Sequence, residues 1–269
     1  MTKKPNTKTG RYLYCIVDHG RHKDFGDIGV EENSVYTIPY QDISAIVHDC
    51  QADPYDSDDE EEVKRWVRSH QNVLEAVMDD PEYGGLLPAG FDTIIRGEGD
   101  QDPDTTVKGW LNTEYGSIKE QLDEVRGKEE YSVHVTYDPD WLAGKIPQDS
   151  EEIQSIKSKI EEKPEGAAYL YREKLEKLMS DRMEEKKEGL KSDFLEKIRP
   201  KVDRLFEEEE KSFPGEDENL LSAACLVNAG EYRELGNALE DIDDREGLSV
   251  RFTGPWAPYS FTDIDRNED

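Results

Sequence analysis

The apolar residues of this chain are gathered into short periodic clusters between strongly charged stretches, and this arrangement restricts the folds open to it. Only 34% of the 269 residues are hydrophobic, whereas 36% are charged. Low hydrophobicity with high net charge is typical of disordered chains. The clustering argues against disorder, because the clusters follow the two-residue period of a strand or the three-to-four-residue period of a helix. The length allows a substantial core and favours two smaller domains.

Acidic residues dominate the charge. The chain has 64 Asp and Glu against 34 Lys and Arg, a formal net charge of −30. Acid this abundant and this evenly spread is typical of proteins adapted to concentrated salt, where repulsion is screened over about 3 Å at about 1 M. We therefore expect a halophilic source. Nucleic acid is not expected as a partner, because phosphate binding requires a basic patch and none of useful size is present.

The sequence also predicts where the protein resides. It contains no apolar run of about 18 residues, so no membrane-spanning helix is predicted. The segment from Met1 to Gly10 lacks the apolar region of a secretory signal. We expect a cytoplasmic protein.

The first half of the chain predicts strands followed by helices. Alternation and β-branched residues predict strands over 11–17, 34–39 and 43–48, which make a small antiparallel sheet. The apolar segment 86–95 contains proline and glycine and is typical of an irregular edge strand.

Two amphipathic helices belong to this half. The first has its apolar positions over 63–78, and Ser57 followed by Glu60 resembles a capping box at its start. The second begins at Asp102-Pro103 and ends at Gly127. Strands followed by helices indicate an α+β domain.

The second half predicts another α+β unit. A strand over 131–137 precedes a charged helical region, 150–210, whose narrow apolar seam runs through Leu205 and Phe206 and indicates a helical hairpin or short coiled coil. We expect the long helix to break near Gly189 or Pro200.

A strand over 219–228, a short helix from Tyr232 to Ile242 and a last strand over 248–252 complete the second unit. This order approximates a split βαβ or ferredoxin-like unit, although its fourth strand is not visible in the pattern. The predicted domains are 1–128, and 129–269 with the long helical hairpin and the aromatic tail.

The signals for catalysis or metal binding are weak. The chain has no GxSxG elbow, no phosphate-binding glycine loop and no CxxC pair, so neither a cofactor nor a metal is expected. Cys15, Cys50 and Cys225 are expected to be small apolar residues on strands or strand edges. A thiol-dependent enzyme that uses Cys15, His19 or His48 remains an alternative, and His48-Asp49-Cys50 is at most half a zinc site.

The end of the chain is unusually aromatic for an acidic protein. Four aromatic residues and two prolines lie within 250–261, whereas loose termini are usually small and polar. We therefore expect the segment to be docked. Trp256, Tyr259 and Phe261 either bind a partner or pack on their own protein as a clasp between the domains.

Five sequence motifs, from the opening strand to the aromatic tail, lie in order along the chain. The tail reads Gly-Pro-Trp-Ala-Pro-Tyr-Ser-Phe over 254–261, and the chain opens with the strand Tyr12-Leu13-Tyr14-Cys15-Ile16-Val17. Between them lie a histidine-bearing helix around His70, Leu-Pro-Ala-Gly-Phe-Asp-Thr over 87–93, and Gly-Ala-Ala-Tyr-Leu-Tyr-Arg over 166–172. Together these five motifs resemble the gas vesicle protein F/L family. The strand at Tyr131 departs from the family pattern, which has tryptophan there. The chain length and the acidity favour the L branch of the family and a halophilic archaeon.

The resemblance implies two α+β domains, each a modified ferredoxin-like unit, the second with long helices. It also implies an accessory role in building gas vesicles, the protein shells that provide buoyancy. The expected partners are the major gas vesicle shell protein and other accessory proteins, and a minor structural component of the shell is an alternative. The heavily acidic body would oppose premature association of a bound apolar partner.

Overall fold

A computed structural model describes residues 9–97, 101–146, 150–208 and 217–264. Contacts between Cα atoms divide the chain into two units, the first made of residues 1–130 with 255–269 and the second of 131–254. The tail, which we expected in the second domain, therefore groups with the first unit. Its buried Ala257 explains this grouping, because that residue belongs to the apolar core of the first unit.

A six-stranded sheet forms the first unit's centre, with the strand order β2-β3-β4-β1-β5 and β6 also paired to β1. Strand β1 is buried over most of its length, because apolar residues occupy both of its faces, and it pairs antiparallel with β4, β5 and β6. The apolar segment 86–95 thus supplies two short strands beside β1. The strands are β1 (Thr9–Val17), β2 (Asp24–Gly26), β3 (Val35–Tyr40), β4 (Ile43–Gln51), β5 (Leu86–Pro88) and β6 (Ile94–Arg96).

Two long helices complete the first unit, α1 (Glu60–Met78) and α2 (Pro103–Val125). The predicted capping box at Ser57 is wrong. Asp59 is the N-cap of α1 and accepts from the Glu61 N–H at 3.0 Å, whereas the Ser57 hydroxyl donates to Glu62. An aspartate directly before the first turn accepts a hydrogen bond from a free backbone N–H, and its negative charge is favourable at the positive end of the helix dipole.

The second unit is a four-stranded sheet with helices, in the strand order β10-β7-β9-β8. Strand β8 is the strand that the sequence pattern did not show. The elements are β7 (Lys128–Tyr137), α3 (Pro139–Gly144), α4 (Glu151–Glu162), α5 (Glu165–Ile198), β8 (Arg204–Glu207), β9 (Glu218–Asn228), α6 (Tyr232–Asp243) and β10 (Leu248–Trp256).

Three sequence expectations for this unit have different outcomes. Of the two positions at which we expected the long helix to break, the second is confirmed, because α5 passes through Gly189 and ends at Ile198, before the short turn that contains Pro200. Leu205 and Phe206 do not extend the helical seam, because they lie on β8 and pair with Cys225 and Ala224 of β9. The sequence predicts a solvated helix face for the acidic run 207–210, but Glu207 ends β8, and residues 209 and 210 lie outside the described residues.

Position 247 in this unit requires glycine, both for its backbone conformation and for packing. Gly247 has a φ of +75°, which favours glycine, and a Cβ added there would lie 2.1 Å from the Trp141 ring. The Gly247 carbonyl accepts from the Asp138 N–H at 3.0 Å. The turn before β10 therefore depends on the absence of a side chain at this position.

Candidate partner-binding site

The aromatic tail divides into buried and exposed side chains. Trp256 ends β10 with 36% of its surface exposed, and Tyr259 is 39% exposed, whereas Phe261 is only 8% exposed. Tyr259–Phe261 form a single turn of 3-10 helix that follows Pro258. We expected the aromatic residues of the tail to dock together. Phe261 packs inward, whereas Trp256 and Tyr259 lie partly at the surface.

Hydrogen bonds hold the tail against the first unit. The carboxylate of Glu130, itself 5% exposed, accepts from both the backbone N–H and the hydroxyl of Ser260, at 2.8 and 2.9 Å. The backbone N–H of Asp263 donates to Gln121 Oε1 at 2.7 Å. A buried carboxylate with two donors from one residue is a strong, directional anchor. The tail is therefore held in one conformation on this unit.

A histidine links the tail to the sheet. His70 on α1 is buried; its Nδ1 lies 2.8 Å from the Tyr12 hydroxyl and its Nε2 lies 3.2 Å from the Tyr259 hydroxyl. Tyr12 also accepts from the backbone N–H of Asp92 at 3.1 Å. This network fixes the Tyr259 ring while leaving part of it exposed.

A second tyrosine–histidine network lies beside the first. Nδ1 of His48, a fully buried residue of β4, lies 2.8 Å from the Tyr14 hydroxyl, and its Nε2 lies 3.1 Å from the Tyr55 hydroxyl. The Tyr12 and His48 rings stack with centroids 4.8 Å apart. A neutral imidazole offers one donor and one acceptor, so each ring matches two hydroxyl partners.

Burial sets the charge of both histidines. It lowers the pKa of His48 and of His70 from 6.5 to about 4. Burial also raises the pKa of Tyr12 and Tyr14. The imidazoles are therefore neutral hydrogen-bonding groups at neutral pH, and their role is to hold α1, the sheet and the tail together.

The three cysteines and His134 lie on strands. Cys15 and Cys50 lie on strands as free thiols, and burial raises the pKa of both, to about 11 for Cys50. A raised pKa opposes formation of the nucleophilic thiolate. His134 Nδ1 lies 3.1 Å from the Ser222 hydroxyl on the neighbouring strand. Cys225 lies buried on β9, as expected for a small apolar residue.

An acidic cleft of about 900 Å³ opens beside the second network. Tyr55 and Trp66 form part of its wall. Among the lining residues that the structure describes, Arg11 is the one basic side chain, and it lies 2.7 Å from Asp104. The carboxylates that line it are those of Glu31, Asp49, Asp53, Asp56, Glu62 and Asp102. The negative potential of clustered carboxylates repels phosphate groups.

Sequence reasoning missed the two histidine networks. His70 occupies the apolar register of α1 with Trp66, Val73 and Val77, so its burial is foreseeable from spacing. Its partners come from residues 58 positions before it and 189 after it, and no local pattern predicts such pairings. Among the described residues, no group of three or more potential metal ligands occurs, and none of the described helices is long and apolar enough to cross a membrane.

Comparisons with known proteins agree with these observations. Residues 10–263 match a family model described as "Gas vesicle synthesis protein GvpL/GvpF". Gas vesicle protein L of Haloferax mediterranei is 31% identical, over 96% of this chain and 90% of its own. Gas vesicle protein L1 of Halobacterium salinarum is 30% identical, over 94% and 90%, and the F1 protein of the same organism is 22% identical.

Solved structures show the same fold. The crystal structure of the gas vesicle protein GvpF from Anabaena superposes with a TM-score of 0.78 at 20% identity, over 95% of this chain and 99% of that one. GvpF from Microcystis aeruginosa gives 0.70 at 18% identity, over 94% and 98%. The mixture of helices and antiparallel sheets is therefore shared with these proteins.

Proposed function

The chain belongs to the GvpL/GvpF family of gas vesicle synthesis proteins, and on that premise we propose that it is an assembly adaptor. As a member of this family it takes part in gas vesicle formation. In the proposed role it binds the major gas vesicle shell protein and other accessory proteins while the vesicle is being built.

The observation that carries the proposal is a segment anchored by hydrogen bonds that has partly exposed aromatic side chains. Trp256 and Tyr259 are 36% and 39% exposed, and the turn between them and Asp263 is anchored by Glu130 and Gln121. Aromatic side chains dominate binding energy at protein interfaces. A segment that is already ordered loses little conformational entropy when a partner binds, so its contacts contribute more to affinity.

The three aromatic residues then have different roles. Trp256 and Tyr259 contact the partner, whereas the buried Phe261 anchors the turn that presents them. The hydrogen bond from Tyr259 to His70 sets the direction of its ring. The alternative role of these residues, a clasp between domains, is a second hypothesis for the same segment.

The acidic body supports the same function. A net charge of −30 keeps a complex with an apolar partner dispersed, because like-charged surfaces oppose contact between complexes. Within this proposal the protein works in the cytoplasm and associates with the growing vesicle. The raised pKa values of Cys15 and Cys50 weigh against a thiol-dependent enzyme.

The proposal extends to the domain organisation. In the second unit the elements follow the order strand, helices, strand, strand, helix, strand, and the sheet order β10-β7-β9-β8 places the last strand beside the first. These orders support a modified ferredoxin-like description of that unit. We describe the protein as two α+β domains, with the tail attached to the first.

A pairwise binding map tests the proposal. The full chain is immobilised in about 3 M KCl, which keeps acidic repulsion screened, and each purified shell or accessory protein is passed over it. We expect retention of the shell protein and of at least one accessory protein. If none is retained, and Cys15→Ala abolishes buoyancy with the fold intact, the adaptor role is wrong. Immunodetection on washed intact vesicles distinguishes a permanent minor shell component from an assembly factor.

A further inference from the structure

Strand β8 leaves one edge of the second unit's sheet open. It is the last strand in the order β10-β7-β9-β8, and among the described residues only β9 pairs with it. The Glu208 N–H donates to the Ser222 carbonyl of β9 at 2.9 Å. Because backbone groups alternate in direction along a strand, the N–H and C=O groups of Leu205 and Glu207 point away from β9. An open edge of this kind is a template for pairing with another strand.

An aromatic side chain lies at the centre of this edge. Phe206 is 54% exposed, the largest value for any large hydrophobic residue on a described strand. Side chains two positions apart on a strand share a face, so Arg204 and Glu208 lie on the same side of the sheet as the ring. The β9 residues paired with this side, Ala224 and Leu226, are uncharged. Arg204 and Glu208 therefore flank the ring with opposite charges.

The edge is complementary to itself. Two copies of β8 that are related by a two-fold axis run antiparallel. In the register that pairs Leu205 with the partner's Glu207, both outward residues of each strand form hydrogen bonds with the other strand. Phe206 then lies opposite the partner's Phe206, and Arg204 lies opposite the partner's Glu208 on either side of the rings. Symmetry alone thus produces an aromatic contact between two flanking ion pairs.

The neighbouring registers are less favourable. The smallest shift that keeps the same backbone groups facing each other moves one strand by two residues. In one direction this shift places Glu207 opposite the partner's Glu207, and like charges directly opposite are destabilising. In the other direction it places Arg204 opposite the partner's Phe206 and removes both ion pairs. In the favoured register, Glu207 keeps its ion pairs with Lys191 and Arg199, at 3.1 and 3.2 Å.

We propose that the protein forms a two-fold dimer by pairing of its β8 strands, which joins two four-stranded sheets into one. The occupant of the edge is a second copy of this chain, because the backbone groups, the ring and the two charges each match themselves under the two-fold axis. At about 1 M salt, repulsion between two acidic copies is screened beyond about 3 Å, whereas the ion pairs are in contact. The dimer goes beyond the proposed adaptor role and does not depend on it. The aromatic tail belongs to the first unit, so substitutions on β8 should leave binding at the tail unchanged.

Sedimentation equilibrium of the full chain in about 3 M KCl tests the dimer. Because β8 is short, the interface is small, and association should be weak and dependent on concentration. The mean mass should rise from that of a monomer towards that of a dimer as the concentration approaches about 1 mM. Phe206→Ala should raise the dissociation constant about 5-fold. A parent chain that stays monomeric over this range overturns the proposal.

Charge reversal tests whether β8 is the interface. Arg204→Glu and Glu208→Arg each place like charges opposite each other, and each should weaken the dimer about 30-fold. Mixing these two variants should restore association as a heterodimer, because every acidic position then faces a basic one. Arg172→Glu, about 28 Å from Lys191 along α5, is the control and should leave association unchanged.

Circular dichroism confirms the fold of each variant before association is compared. Recovery in the mixture distinguishes pairing at β8 from misfolding, since two misfolded chains would not restore each other. If the single variants associate like the parent, if their mixture stays monomeric, or if Arg172→Glu acts like Arg204→Glu, the proposal is wrong.

Discussion

Replacing His48 and His70 with glutamine is expected to reduce the decrease in the free energy of unfolding that mild acid causes. Burial lowers the pKa of both imidazoles from 6.5 to about 4. The folded protein therefore keeps them neutral at a pH where the unfolded chain protonates them. Because the pKa is lower in the folded state, this stabilisation is complete above pH 6.5 and is lost as the pH falls from 6.5 towards 4.

The size of the effect follows from the pKa difference. At about 1.4 kcal/mol per pH unit, each histidine lowers the free energy of unfolding by about 2 kcal/mol between about pH 7.5 and about pH 5. The two together account for about 4 kcal/mol, a large fraction of the 5–15 kcal/mol typical of a domain. Most carboxylates remain ionised above about pH 5, so relief of acidic repulsion contributes less over this range.

The assay is urea unfolding at constant molar KCl, followed by the fluorescence of the four tryptophans, at several pH values. The double variant should lose about 4 kcal/mol less than the parent between those two pH values, and His70→Gln alone about 2 kcal/mol less. His22→Gln, at an exposed site, is the control and should follow the parent. A parent and a double variant with the same pH dependence would refute the structural role of the two networks.

Three other perturbations test separate parts of the structure. Ser260→Ala removes one of the two donors to the buried carboxylate of Glu130 and should lower the free energy of unfolding in urea by about 2 kcal/mol. A decrease of less than about 0.5 kcal/mol would show that the anchor is dispensable. Gly247→Ala forces a Cβ against the Trp141 ring at positive φ and should lower the free energy of unfolding by about 2–4 kcal/mol. Gly236→Ala, in open space on α6, should instead raise it by about 0.5 kcal/mol. Equal effects of the two substitutions would contradict the packing described at Gly247. Lowering KCl from about 3 M to about 0.1 M should lower the thermal midpoint, because repulsion among the 64 acidic side chains is no longer screened, and an unchanged midpoint would count against salt adaptation.

Local patterns were sufficient for the regular elements. Strands β1, β3, β4, β7 and β9 and the helices α1, α2 and α6 lie where apolar clusters predict them, because each cluster has the period or the length of its element. Gly127, with a φ of +67°, follows the end of α2 as predicted. Strand β8 was missed because Leu205 and Phe206 continue the spacing of the preceding helical seam. Pairing with β9, which sequence spacing does not reveal, decides its conformation.

The candidate site was predictable only in its residue types. The aromatic content of 250–261 correctly indicates a docked segment, but the different exposure of Trp256 and Phe261 depends on packing within the first unit. Ala257, a residue with no aromatic signal, is fully buried. The Glu130–Ser260 anchor joins residues 130 positions apart, so local sequence carries no trace of it.

The most direct test of the adaptor account is the affinity of the full chain for the purified major shell protein, compared between the parent and Trp256→Ala. Phe206→Ala removes another exposed aromatic ring, on β8, and is the matched control. Loss of an interface aromatic anchor costs about 2 kcal/mol or more, so Trp256→Ala should raise the dissociation constant about 30-fold while Phe206→Ala leaves it within about 3-fold. Unchanged affinity of Trp256→Ala, or equal losses in both variants, would contradict a partner-binding role for the tail.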